Sequence, residues 1–312
     1  MKPAPSSGPR RVLIALIVTV ALLVVPAALA ATSAGRQRRS NAIAGEATNI
    51  YTVGVDGTGL RRLTRAPDDL RYDSPAWSRS GRWIAFSGPP CDDCPELIYL
   101  IDLARGGVVE RIPRTVPGAA RPSWGPADRS LTFVGGLTNS VYTISRQGTG
   151  QRRLTPGLIA HDQSAWSPDG RRIIYTSQQP NGRWDVFVMR SDGSEKRNLT
   201  GTPGSEEQPA WSHDGRMIAF ARQIGGKWAI FVMPAGGGRA RRLTPLAENS
   251  QQPAWSPDDR QIAFTKVATG GSSVIIMRFD GTGRRRLRTG VGPASAPSWS
   301  PDSRRIAFAR TG

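Results

Sequence analysis

The sequence predicts an all-β protein: a six-bladed β-propeller of four-stranded blades, preceded by one apolar N-terminal helix. Three observations carry this. A Trp recurs at Trp77, Trp124, Trp166, Trp211, Trp255 and Trp299, at intervals of 47, 42, 45, 44 and 44 residues. Seven residues after each stands an aliphatic (Ile84, Leu131, Ile173, Ile218, Ile262, Ile306), and nine after each an aromatic (Phe86, Phe133, Tyr175, Phe220, Phe264, Phe308). The chain also opens with the back half of one such unit and closes with a front half. A period of roughly 40–45 residues with four strand-like pieces per unit is the pattern of propeller blades.

Taken in chain order, residues 1–30 differ from the rest. Lys2, Arg10 and Arg11 precede an uncharged run from Val12 to Ala31, and Ala28-Leu29-Ala30 forms a small-residue site after Pro26. This is the layout of a secretory signal cleaved after Ala30. The run also approaches the roughly 20 residues that span a bilayer, so a membrane anchor over residues 12–31 is the alternative. Either way the protein is expected outside the cytoplasm, in the periplasm or at the cell surface. Residues 31–46 read as a flexible linker, and residues 47–312 as the propeller.

The propeller opens with Asn49–Val53, a tight Asp56-Gly57 turn and Arg61-Arg62-Leu63-Thr64. The third repeat shows a whole unit. Gln163–Ser167 leads through Pro168-Asp169-Gly170, a turn sequence in which Pro presets φ and Gly tolerates positive φ. Arg172–Ser177 follows, then Asp185–Met189, the hairpin signal Asp192-Gly193, and Arg197–Thr200. The second repeat departs from the pattern at Trp124-Gly-Pro-Ala-Asp128, and the fourth carries His213 in place of Pro. The chain ends with Ser298–Ala309, a front half only. The N-terminal strands are expected to pair with it and close the ring, leaving no open sheet edge. The repeated Trp and its followers read as blade packing.

Cys91 and Cys94 are the only cysteines. In an exported protein two near neighbours are expected as a structural disulfide; two further ligands for a metal are missing. The net charge is +18, and losing Lys2, Arg10 and Arg11 with the signal leaves +15. Basic residues recur at one place in five of the units: Arg61, Arg62, Arg152, Arg153, Lys196, Arg197, Arg241, Arg242, Arg284, Arg285 and Arg286. In a propeller these fall on the outermost strand. They are either a basic rim attracted to an anionic wall polymer or membrane surface, or a charged edge that resists strand pairing. Nucleic acid is a poor partner for an exported chain.

A binding site is expected where blades differ, at the inner ends of the first strands around the central channel. The residues there are Asp73, Asp162, Gln163, Glu207, Gln208, Gln251 and Gln252, with His161 beside them. Catalysis has little support. The chain has two His, no Gly-x-Ser-x-Gly and no His-Glu-x-x-His. No cofactor or metal is expected. A lyase or hydrolase using the carboxylates of that ring is the enzymatic alternative.

Pro253-Ala-Trp-Ser-Pro-Asp-Asp-Arg-Gln-Ile-Ala-Phe264, with Arg241-Arg-Leu-Thr244 in the unit before, resembles the WD-like propeller repeat of the TolB family. TolB itself is the soluble periplasmic component of the Tol-Pal envelope system. The resemblance covers residues 47–312. It implies a six-bladed propeller that receives a protein partner at its channel mouth, without catalysis. TolB carries an N-terminal α/β domain ahead of its propeller, whereas here about 16 residues separate the apolar run from the first strand. The expectation is therefore a TolB-like propeller, monomeric and exported, acting as a protein-binding scaffold in the cell envelope. The alternatives are a charge-driven tether and a carbohydrate-active enzyme.

Overall fold

A computed structural model of the chain describes residues 46–312. The expected signal or anchor, its helix, and all but Glu46 of the expected linker lie outside these residues. Among the described residues, no helix is long and apolar enough to cross a membrane.

The strands run as expected from turn-punctuated, β-branched and aromatic segments. The chain begins with β1 (Thr48–Gly54) and β2 (Arg61–Arg62). Blade 1 follows as β3 (Asp73–Trp77), β4 (Trp83–Gly88), β5 (Leu97–Asp102) and β6 (Val108–Arg111). Blade 2 is β7 (Ala120–Trp124), β8 (Ser130–Gly135), β9 (Ser140–Ser145) and β10 (Arg152–Arg153). Blade 3 is β11 (His161–Trp166), β12 (Arg172–Gln178), β13 (Trp184–Arg190) and β14 (Arg197–Asn198). Blade 4 is β15 (Glu206–Trp211), β16 (Met217–Ile224), β17 (Lys227–Pro234) and β18 (Arg241–Arg242). Blade 5 is β19 (Ser250–Trp255), β20 (Gln261–Ala268), β21 (Gly271–Arg278) and β22 (Arg285–Arg286). The chain ends with β23 (Ala294–Trp299) and β24 (Arg305–Thr311).

All six sheets are four-stranded and antiparallel. The sixth has the order β2-β1-β24-β23, so the two ends of the chain complete one blade between them. β1 and β24 pair from Thr48↔Thr311 to Gly54↔Arg305. The outermost strands are shorter than the sequence pattern implied. In blade 3, Leu199 turns into the core and the Thr200 hydroxyl takes the Val186 N–H at 3.0 Å, which ends the strand at Asn198. The same Thr contact, at 2.9 Å, recurs at Ile50–Thr64, Val141–Thr155 and Ile230–Thr244.

The core lies between blades. Trp211, Ile218 and Phe220 of blade 4 pack against Ile174, Val186 and Val188 of blade 3, all buried. Equivalent clusters recur around the ring. The Trp also joins neighbours by hydrogen bonds. The indole N–H of Trp124, Trp211 and Trp299 donates to the carbonyls of Ala76, Ala165 and Ala254, each one residue before the preceding blade's Trp, at 3.0–3.3 Å.

The repeated Ser-Pro-Asp turn is a small network. Ser167 Oγ donates to Asp169 at 2.5 Å and accepts the N–H of Arg172 at 2.9 Å, while Asp169 accepts the N–H of Arg171 at 3.0 Å. The Ser hydrogen bond, with the Arg171 N–H, holds the Asp169 carboxyl below the usual carboxylate range. The two unusual turns are explained by their neighbours. Three of the four turns with Pro, those of Pro126, Pro168 and Pro301, face a Gly in the next blade, and Pro257 faces Ser303: Gly170 has φ 70, and a Cβ there would sit 2.5 Å from Pro126 Cγ. Blade 4 has His213 instead of Pro, and so offers an N–H. Blade 5 answers with Asp259, whose oxygens accept the N–H groups of His213 and Asp214 at 2.6 and 2.8 Å. Asp128 of blade 2 does the same for Arg79 and Ser80 of blade 1, at 2.8 and 2.9 Å.

Candidate binding site at the channel mouth

Each innermost strand is broken by a bulge at the same place. The register shifts between Asp73/Ala76, Ala120/Ser123, Asp162/Ser164, Glu207/Ala210, Gln251/Ala254 and Ser295/Ser298. The bulged residues Ser74, Arg121, Gln163, Gln208, Gln252 and Ala296 all take positive φ, between 36° and 60°. Non-glycine residues rarely adopt this region, and a bulge re-aims its side chain. Five of the six are followed by Pro, which has no N–H for the ladder and is tolerated at a bulge. Blade 3 has Ser164 there. These two residues from each blade line an axial cavity of about 180 Å³.

The bulged side chains also lock blades together. Gln163 Oε1 accepts the backbone N–H of Gln208 at 2.9 Å, Gln208 Oε1 that of Gln252 at 2.7 Å, and Gln252 Oε1 that of Ala296 at 3.0 Å. The relay ends at Ala296, which has no acceptor to pass on.

Of the residues expected at the mouth, Gln163, Gln208 and Gln252 line the channel, while Asp73, Asp162, Glu207 and Gln251 sit one position further back. Arg121 is the charged member of the lining. It pairs with Asp162, whose Oδ1 also accepts the Gln163 N–H at 2.9 Å. Asp73 and Glu207 lie half-buried. His161 is buried against Tyr175, with ring centroids 5.5 Å apart. Burial, reinforced by Lys196 and Arg153, lowers its pKa to about 4, so it is neutral at pH 7. At the equivalent position of blade 4, the first residue of β15 is Glu206, fully buried, bonded to Arg222 at 2.8 Å and to the Thr202 hydroxyl; burial raises its pKa. Among the described residues no three His, Cys, Asp or Glu side chains converge to hold a metal ion.

Part of the chain matches a known family model. The family model of the TolB beta propeller domain fits residues 161–312. The second half of the chain thus matches the TolB beta propeller domain, and the whole ring has the TolB-like propeller fold. Its structure resembles that of a putative TolB from Agrobacterium tumefaciens, with a TM-score of 0.73 and 21% identity over 86% of this chain and 99% of that one. TolB from Acinetobacter baumannii gives 0.70 and 21%, over 82% of this chain and 66% of its own. An oligogalacturonate lyase from Vibrio parahaemolyticus is less similar, at 0.55 and 12%, over 85% and 83%. At these identities the likeness to the solved structures is one of fold.

Around the mouth of this TolB-like propeller stand the hairpins joining second to third strands and the loops entering each blade. Leu137, Leu158 and Ile159 are exposed there. Their two loops are tied together: Arg153 donates to the Thr138 hydroxyl and to the Gly157 carbonyl, both at 2.7 Å, and His161 N–H donates to Asn139 at 2.9 Å. Cys91 and Cys94 are disulfide-linked within the equivalent hairpin of blade 1.

The outer arginines have a specific geometry. Arg61, Arg152, Arg197, Arg241 and Arg285 each reach across to a backbone carbonyl in the next blade's outer turn: Gly106, Asp192, Gly236, Asp280 and Val55. Only the step from blade 1 to blade 2 lacks this bond among the described residues. Glu110 holds that position and pairs with Arg105 of its own blade at 2.6 Å, while Arg146 of blade 2 stacks on Trp83 of blade 1. Arg62 and Arg153 bond within their own blades, and Arg284 pairs with Glu248 at 3.1 Å.

Proposed function

We propose that this TolB-like propeller is an exported, non-catalytic scaffold that binds a protein partner at its channel mouth. The observation that carries the reading is the exposed group Leu137, Leu158 and Ile159 on the mouth face. Leu137 and Leu158 are 105% and 91% exposed. Exposed apolar side chains on two loops tied together beside a polar channel mouth suit a protein interface, apolar at its centre and polar at its edge. The mouth carboxylates favour binding over acid–base work: Asp162 is tied to Arg121, and Glu206 is buried on Arg222. The TolB structures of the same fold support the reading by family kinship, and the apolar run at residues 12–31 together with the Cys91–Cys94 disulfide supports export. On this reading residues 1–30 direct or anchor the chain, 31–46 tether it, and 47–312 bind.

The test is affinity capture from solubilised envelope with the full chain, washed at low and high salt. One defined protein is retained by the wild type at high salt and lost by the Leu158→Asp/Ile159→Asp variant. Capture only of anionic polymer or lipid, lost as screening rises above about 0.15 M salt, would transfer the function to the arginine rim. Retention by the Leu158→Asp/Ile159→Asp variant would remove the mouth from the account.

A further inference from the structure

We propose that the outer edge of blade 5 carries a small oxyanion site built from Arg286, Ser272 and Ser273. The site is a cavity of about 320 Å³ on the mouth side of the blade, between the β20–β21 hairpin, β22 and the loop entering β23. Its lining includes Arg286, Ser272, Ser273, Gly271 and Gly292, and no carboxylate.

Blade 2 shows what this place looks like when it is filled from within. There Arg153 pairs with Tyr142 across the strands, and Ser140 lies two residues before Tyr142 on the same face. Arg153 donates to Ser140 Oγ at 2.9 Å, to Thr138 Oγ1 at 2.7 Å and to the Gly157 carbonyl at 2.7 Å. Its guanidinium is thus satisfied by acceptors of the protein itself.

Blade 5 keeps the donor and loses the acceptors. Arg286 pairs with Ile275, and Ser273 lies two residues before it, so the two stand where Arg153 and Ser140 stand in blade 2. The position of Thr138 is taken by Gly271. That residue is held at φ 113°, and a Cβ on it would meet Pro293 Cγ at 3.0 Å, so no hydroxyl-bearing side chain fits. Among the described residues neither Arg286 nor the hydroxyls of Ser272 and Ser273 have a hydrogen-bond partner, and the cavity lies between them. The guanidinium has five N–H donors in a planar fork and no acceptor, the geometry that takes a carboxylate or phosphate oxygen pair. Two serine hydroxyls complete the donor set. An oxyanion bound there supplies the acceptors that Thr138 and Ser140 supply in blade 2.

The shared chemistry is a phosphate or carboxylate group, free or borne on a larger molecule. The experiment is calorimetric titration of the full chain with inorganic phosphate, dimethyl phosphate and acetate, each against chloride at constant ionic strength. The expected result is saturable binding of at least one of the three. Arg286→Gln weakens it by about tenfold or more, as loss of a charge-assisted bidentate contact requires. Ser273→Ala weakens it by a smaller factor, and Arg153→Gln, the blade 2 counterpart, leaves it unchanged. A preference for phosphate, its diester or acetate identifies which source the site takes. Heats that match chloride for all three anions, or binding that survives Arg286→Gln, overturn the proposal. Arg286 is exposed, so its variant keeps the fold, and thermal melting verifies this. Because the probe is a small ion on the isolated protein, the outcome is independent of whether the channel mouth binds a partner.

Discussion

Trp211 shows what the repeated indole contributes. It is buried between Ile174, Val188 and Ile218, and its N–H closes a bond to the preceding blade. Trp211→Ala therefore opens a cavity and leaves the Ala165 carbonyl without that donor. The expected cost is about 3–5 kcal/mol, read from urea unfolding. His161 makes a second prediction. Its folded pKa of about 4 lies below the ordinary 6.5, so the unfolded chain takes up a proton first as pH falls. Stability is complete above pH 6.5, declines through the window from 6.5 to about 4, and levels off below it. The loss amounts to about 3 kcal/mol. His161→Gln should flatten this decline; equal slopes for both proteins between pH 4 and 7 would show that the imidazole is not held neutral. His161 opens β11 beside the mouth residues, and its packing on Tyr175 makes it part of the core as well.

At the scale of the element, the turns between first and second strands come in matched pairs. A turn with Pro faces Gly170 or its equivalent (Ser303 in the closing blade), and a turn with a free N–H faces Asp128 or Asp259. His213→Pro removes one donor and strands the Asp259 carboxylate against a ring. Asp259→Gly alone strands the donors. Each single change is expected to cost about 1–2 kcal/mol, while the pair costs less than the sum by about 1 kcal/mol. A double-mutant cycle in thermal or urea melts reads this coupling, and strict additivity would mean that the turns ignore each other. The departures at Ala127-Asp128 and His213 were visible in the sequence as irregularities. Their meaning was not, because the partner of each lies some 45 residues away in the neighbouring repeat.

For the whole molecule, blade-to-blade contact runs in concentric layers: glutamine amides at the axis, indoles in the middle and arginines at the rim. Arg197→Gln with Arg241→Gln should lower thermal stability by about 1 kcal/mol per side chain, since each loses a bond to a neighbouring backbone carbonyl. An unchanged melting temperature would leave the rim free to serve only as a charged surface. Closure makes the strongest demand. Deleting residues 47–64 removes β1 and β2 and leaves β24 as an open edge. The truncated protein is expected to lose its single cooperative transition and to associate, as seen by size-exclusion chromatography and circular dichroism.

The period, the four strands per unit, the six blades and the way the ends meet were all determined by the sequence, because each follows from residues repeated at fixed spacing within a unit. Gln163, Gln208 and Gln252 were legible as mouth residues for the same reason. What only the tertiary structure decided concerns contacts between units. The bulges that turn those glutamines onto the next blade, the prolines that share the channel wall, and the Arg121–Asp162 pair arise where two sheets meet. So do the arginine contacts across the rim and the open cavity at Arg286. A repeat fixes its own turns through local hydrogen bonds and φ preferences. Which side chain of one blade finds an acceptor on another depends on the distance and angle between sheets, and that geometry exists only once the ring has closed.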